Sequence, residues 1–596
     1  MKKRYWKMLL LSSTALALPF VVAANYPTTI AEVPGAELLN PALVKASACG
    51  SPAVGNNELF KPGVRLAAMG SAVAAEFEDV PLFSGLGDLT FEITTSSEEA
   101  RRYFEQGLAL TYAFNHAAAL ESFHAAQFAD PTCAMCCWGA AYALGPNIND
   151  PMHAENIAPA FAEIAQAIAL KGGASLREQA LIDALSARYS ADPEADRLAL
   201  DLAYAEAMAG VVEGYSGDQD IAVLYAEALM NTQPWDYWKA GGVVPKGAGG
   251  AIVSTLEQVL TDNPDHPHAI HLYIHAVEAS ADPARAERYA DRLAPIMPSA
   301  GHLVHMPGHI YYRIGRYVDS METNRKAVAA DEAFFEQLDD DGIYRFGYYP
   351  HNLHFLLVSA LMAGGATDAV DAAQKLGNVM SDDIAEQVPW VQAIKTAPYT
   401  THAVFSDPET VLSIDDPGDR FPMVRAFWHY ARAIAQVRAG NPEAAAEEVR
   451  ALQKIRETSD FTSLVEGFVP APELLVVAEL VVDGQIARVE GRYDDAIEAF
   501  EAAAAIQDNI PYMEPPYWYY PVRQSLAAAQ LEAGDAEAAA DTFRRSLVDT
   551  PNNGWALWGL MQAQKAMGDK AGAKVTSELL EQAWAGPSDL LTLQRL

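Results

Sequence analysis

Five positions recur along this chain at fixed offsets, and they constrain its fold more tightly than any other feature. Gly107, Ala119, Phe123, Ala126 and Pro131 place small, small, aromatic, small and proline at offsets 0, 12, 16, 19 and 24. Gly484, Ala496, Phe500 and Ala503 keep the same offsets, as do Ala527, Ala539, Phe543, Ser546 and Pro551. Gly308, Ser320 and Ala327 keep part of them. The surrounding sequence is rich in Ala, Leu and Glu with little β-branched alternation, which predicts helix. Small residues let two helices approach, an aromatic fills the gap between them, and proline ends the second. A unit of this kind cannot bury its apolar face alone and must stack on its neighbours.

The pattern resembles the tetratricopeptide repeat (TPR), a two-helix unit of about 34 residues. The resemblance implies an all-α, TPR-like helical-hairpin solenoid, a superhelix that serves as a binding surface and carries no particular chemistry. Less regular units fall around 178–216, 220–264, 350–377, 425–452 and 554–582. The expected organisation is an N-terminal array over 98–378, a connecting segment over 379–424 and a C-terminal array over 425–596. Pro389, Pro398, Pro408, Pro417 and Pro422 mark the connection. Residues 25–97 show no repeat and read as a leader that packs along or caps the solenoid. Cys137-Trp138-Gly139, Gly145-Pro146-Asn147-Ile148-Asn149 and Pro350-His351-Asn352-Leu353-His354 are similar to segments of large exported bacterial TPR proteins.

The N-terminus reads as an export signal over residues 1–24. Lys2, Lys3, Arg4 and Lys7 precede an apolar run from Met8 to Val22, and Val22-Ala23-Ala24 supplies the small residues for cleavage after Ala24. A periplasmic or secreted protein with no membrane anchor in its mature form is expected. The 596-residue chain carries 41 Lys+Arg and 78 Asp+Glu, a net charge of −37. Signal removal leaves 37 basic side chains against those 78 acids, a net −41. Such a polyanion excludes nucleic acid and anionic lipid as partners, since both need a basic footprint.

Histidine placement carries the functional argument. Nine of the 14 histidines lie between His266 and His354. Within that stretch His268-x2-His271-x3-His275 recurs 34 residues later as His302-x2-His305-x3-His309. A third copy begins at His351 and His354, with Val358 in the last position, after an insertion around Phe335 to Tyr349. One unit earlier, Asp220, Val223 and Glu227 take the same three positions. At about 100° per residue, positions i, i+3 and i+7 share a stripe roughly 60° wide, turned about 140° from the packed face of the helix. In the TPR family, as the resemblance implies, that face lines the concave groove. Eight imidazoles would then project into one groove beside Asp220 and Glu227.

Clustered imidazoles repel one another when protonated, which favours the neutral, metal-binding form. The expected ligands are His268, His271, His275, His302, His305, His309, His351 and His354. Asp220, Glu227, Glu278 and His266 are candidate further ligands or supporting groups. More than four histidines exceed one tetrahedral zinc, so more than one ion is expected. Copper is favoured for imidazole ligands in an exported protein, with zinc and iron as alternatives. The functional reading is a metal-dependent oxidoreductase. A non-catalytic metal carrier or store, and a scaffold holding a protein or peptide in the groove, are the alternatives.

Other segments are less specific. Cys133 and Cys136 form a Cys-x-x-Cys beside Cys137, read as a structural disulfide or as buried thiols; Cys49 has no assigned partner. Trp235, Asp236, Tyr237 and Trp238, then Tyr344 and Tyr348, then Trp518 and Arg523 lie in aromatic insertions. They are candidates to line a small-molecule pocket or to pack between repeats. No phosphate-binding glycine loop, dinucleotide fingerprint, Gly-x-Ser-x-Gly or His-Glu-x-x-His motif occurs.

Overall fold

The computed structural model describes residues 80–338 and 342–596. The export-signal reading, the assigned cleavage after Ala24, Cys49 and the first part of the leader lie outside the described residues. Those residues form antiparallel helical hairpins stacked in chain order, with no β-strand among them beyond an isolated Trp238–Pro245 bridge. The first hairpin pairs helices Glu98–Tyr112 and His116–Ala129. The later pair Ala471–Val489 and Tyr493–Gln507 is built the same way.

The recurrent offsets have a direct packing cause. A Cβ added at Gly107 would stand 2.8 Å from the Phe123 ring, and one at Gly139 in the next unit would stand 2.3 Å from it. Phe123 is thus gripped by glycines of two successive hairpins. Gly484 meets Phe500 in the same manner, at 2.7 Å. Phe123, Phe500 and Phe543 are each fully buried, and such burial stabilises by roughly 1.5–3 kcal/mol per ring. Between the hairpins, Ser and Asp residues cap the helix starts. Ser175 and Glu178 form a reciprocal capping box, and Asp218 accepts from the Ile221 amide.

Part of the leader runs along this stack. Phe91 is buried against Phe104 and Trp138, and the Thr94 amide donates to Glu178 Oε1 at 2.5 Å. Phe83 reaches across to Phe334, 5.1 Å between ring centres. Residues 379–424 contain four short helices, Asp382–Gln387, Val391–Ile394, Ala397–Phe405 and Pro408–Leu412. The apolar core is not divided there, because one cluster joins Tyr317–Val424 with Tyr519–Leu596. Trp555 Nε1 donates to the Leu361 carbonyl at 2.8 Å, so a late repeat sits on the end of helix Tyr349–Ala363.

Candidate metal centre

Three successive units carry the histidines. Helix Pro267–Val277 holds His268, His271 and His275, and starts with His266 as its cap and Pro267 in its first turn. The next unit is split into Gly301–His305 and Pro307–Ile314. Pro307 offers no N–H to the preceding turn, so the helix breaks at Met306. His302 and His305 stand before the break and His309 after it. Helix Tyr349–Ala363 supplies His351 and His354.

All eight rings are buried, between 0% and 6% exposed. This corrects the expectation of imidazoles lining an open groove. Segments distant in sequence fill that face. Tyr112 stacks on His268 with ring centres 3.9 Å apart, and its carbonyl lies 2.8 Å from His271 Nδ1. Phe114 stands 4.5 Å from His271 and 5.3 Å from His302. Trp235 meets His275 edge-on at 4.9 Å, and Tyr348 meets His302 at 4.8 Å. Phe114 and Trp235 both hold left-handed backbone, φ 57° and 64°. That conformation is costly for a bulky side chain and persists where surrounding structure enforces it, as it commonly does at functional sites.

The hydrogen bonds fix which nitrogen of each ring faces inward. His271 Nδ1 donates to the Tyr112 carbonyl, which can only accept. His305 Nδ1 donates to Asn324 Oδ1 at 2.6 Å; the Asn324 amide is oriented by its own bond to the Ser320 carbonyl. His275 Nδ1 donates to Glu278 Oε1 at 3.0 Å, and His309 Nδ1 to Glu514 Oε2 at 2.8 Å. Glu278 Oε2 also lies 2.5 Å from His309 Nδ1, so one carboxylate spans the two histidine units. Arg313 and Tyr512 meet Glu514 from the other side.

With Nδ1 protonated and held, each of these four rings turns its Nε2 inward. His271 Nε2 lies 3.1 Å from His302 Nε2, and His305 Nε2 lies 2.8 Å from His309 Nε2. His351 Nε2 is 3.5 Å from His309 Nε2, and His275 Nε2 has no partner. Burial first, then neighbouring imidazoles, holds His271, His275, His302, His305 and His351 well below the usual imidazole range. These five rings are therefore neutral at pH 7, and the Nε2 atoms of His271, His275 and His305, whose Nδ1 protons are held from outside, point inward as acceptors. A cation fits among them. Nitrogens bound at 2.0–2.1 Å around a tetrahedral ion stand about 3.3 Å apart, close to the separations seen. Two three-histidine groups can each hold an ion, His271–His275–His302 and His305–His309–His351, and Glu278–His309–Glu514 is a third candidate group.

The remaining sequence candidates divide. His268 bonds Glu227 at 3.0 Å instead of joining a triad, and Tyr142 donates to the same carboxylate. Burial works to raise the Glu227 carboxyl, but the hydrogen bond and charge of His268, the Tyr142 hydrogen bond and the Arg188 charge outweigh it, and its pKa falls. His354 pairs with the Tyr519 hydroxyl at 2.9 Å, and burial lowers it to about 3. Asp220 stays with Arg177 and His266, outside the triads. Tyr344 accepts from the His302 amide and donates to Asp331. Asp236 pairs with Lys246, Trp238 donates to the Ala276 carbonyl, and Tyr237 is buried apart from the triads. Trp518 faces a different cavity, and Arg523 is bound to Asp508. Cys133 and Cys136 are disulfide-bonded, while burial pushes the Cys137 thiol up to about 12. Sequence reasoning missed Tyr112, Phe114, Asn324, Glu514 and Tyr519. Glu514 and Tyr519 lie in an aromatic segment that was visible in the sequence, although attention fell on its Trp518 and Arg523.

No protein-family model matches the chain, and no curated protein matches it. Among solved structures, yeast Tom70 is 10% identical over 81% of this chain and 92% of its own, with a TM-score of 0.26. The Rap protein complexed with competence and sporulation factor is 12% identical over 61% of this chain and 87% of its own, with a TM-score of 0.32. The P58(IPK) TPR domain is 12% identical over 79% and 98%, with a TM-score of 0.21. Likenesses this distant carry no argument about ligand or partner. The TPR-like, all-α repeat character rests on the hairpins described above. Among the described residues no helix is long and apolar enough to cross a membrane.

Proposed function

We propose that this chain is an exported metal-binding helical-repeat protein whose two histidine triads hold adjacent ions, copper favoured over zinc or iron. The observation that carries the reading is the set of inward Nε2 lone pairs whose Nδ1 atoms are pinned from outside. Metal-ligating histidines characteristically donate their second N–H to a carboxylate or carbonyl, and this fixes both tautomer and ring orientation. Copper is supported by the neutral imidazole ligands of the first triad, because copper(II) binds nitrogen sites most strongly in the divalent series. Export is supported by the N-terminal basic-then-apolar pattern and by the Cys133–Cys136 bond, which belongs to oxidising compartments.

Metal analysis of untagged protein, with anomalous scattering to identify the element, tests this reading. About two ions per chain are expected, given two triads. Less than about a tenth of an ion after loading with copper, zinc or iron would sink it. The oxidoreductase reading adds cycling of that copper between two oxidation states. Ascorbate bleaching followed by recovery in air supports turnover. Loss of the ion to a weak chelator within minutes supports a carrier instead. A protein-interaction scaffold uses the same fold but has no need of pinned, converging imidazoles.

A further inference from the structure

A cavity lies beyond the histidines, bordered by helices Tyr349–Ala363, Ala397–Phe405 and Pro422–Arg438 and by the 517–520 segment. Behind its open mouth it leaves about 60 Å³ of space, room for several waters and so for a small organic molecule. Leu361, Ile434, Val437, Trp518 and Trp555 give it apolar and aromatic walls.

Two arginines enter this apolar space. Arg595 donates to the Val404 carbonyl at 2.6 Å. Arg438 has no hydrogen bond or ion pair among the described residues, and the charge of Arg595 acts against its own. Other sequestered arginines are treated differently. Arg188 meets Asp201, Arg313 meets Glu514, and Arg488 meets Glu532. A guanidinium cannot shed its proton to escape burial, so an unpaired one is costly unless an anion joins it. The Trp518 indole N–H, in the same wall, is a buried donor without a partner, whereas Arg438 is half-buried at the cavity.

We propose that this cavity binds a small organic monoanion, a carboxylate on a flat apolar or aromatic body. Arg438 takes the carboxylate in a two-point, charge-assisted hydrogen bond, which its planar fork suits. Trp518 and Trp555 cover the body. Tyr519 lines the cavity and also bonds His354, so an occupant lies one side chain away from the histidine units. The proposal stands independently of any metal.

Calorimetric titration of the full chain with 2-naphthoate and with neutral 2-naphthamide tests it, before and after chelator treatment. The carboxylate should bind at least about tenfold more tightly than the amide, and chelation should change neither value. Arg438→Met should weaken naphthoate by about tenfold or more and leave naphthamide unaltered. Arg438→Lys, which keeps the charge but loses the fork, should weaken naphthoate less than Arg438→Met does, and Arg595→Met should weaken it by a few fold. These two variants decide the matter if circular dichroism shows Arg438→Met unfolded. Equal affinity for acid and amide, indifference to the arginine changes, loss on chelation, or no binding to about 5 mM would each overturn the proposal.

Discussion

The first turns of helix Tyr349–Ala363 face the histidines and its last turn faces the arginine cavity, and the two sites treat buried polarity in opposite ways. At the histidines burial holds His271, His275, His302, His305 and His351 in the neutral form. The result is a set of inward ring nitrogens, oriented by Glu278, Glu514, Asn324 and the Tyr112 carbonyl. At the cavity Arg438 keeps its charge, and among the described residues no Asp or Glu side chain pairs with it. Titratable groups adapt to a dry interior, whereas a guanidinium waits for a counterion. One site is thus chemically set for a cation and the other for an anion.

The strongest way to break this contrast is to remove one ligand from each triad. His275→Ala with His305→Ala should weaken metal binding by about a thousandfold or more, about 4 kcal/mol, and leave 2-naphthoate affinity unchanged. Retained metal in a mass-spectrometric assay would dissolve the distinction between the sites. Phe500→Ala strikes the regular repeat rather than either site. It should cost about 3–4 kcal/mol in urea unfolding without lowering metal content, since Phe500 packs on Gly484 and away from the triads.

Acid provides a finer probe. His354 falls from the usual 6.5 to about 3 on burial. Below pH 6.5 the unfolded chain therefore takes up a proton that the folded chain refuses, and stability declines towards pH 3. Between pH 7 and 5 this one ring accounts for about 2 kcal/mol. His354→Gln should flatten the pH dependence of unfolding by that amount, and an unchanged profile would count against it. The smallest effect is expected from Glu514→Gln, which weakens only the outer support of His309. Metal affinity should fall about tenfold, read by competition with a chelator of known strength.

The hairpins were legible in the sequence because their determinants are local. Gly107 meets Phe123 sixteen positions away, and that spacing repeats at Gly484 and Phe500. The histidine stripe was legible for the same reason, since helical geometry fixes which side chains share a face. Its enclosure was not. Phe114, the Tyr112 carbonyl and Glu514 arrive from turns with no periodic signature, and Glu514 stands 205 residues from His309. Nothing in a single strand of sequence pairs such positions. The arginine cavity was hidden likewise, because Arg438 and Arg595 are brought together only by the stacking of late hairpins.

That separation along the chain also sets an order of events during biosynthesis. A ribosome delivers Tyr112 before His271, so the first triad can close once His302, in the following unit, has emerged. The second triad must wait until residue 514 has been made, and until then His309 lacks its Glu514 acceptor. A chain cut short before that point would carry every histidine and still not complete the centre.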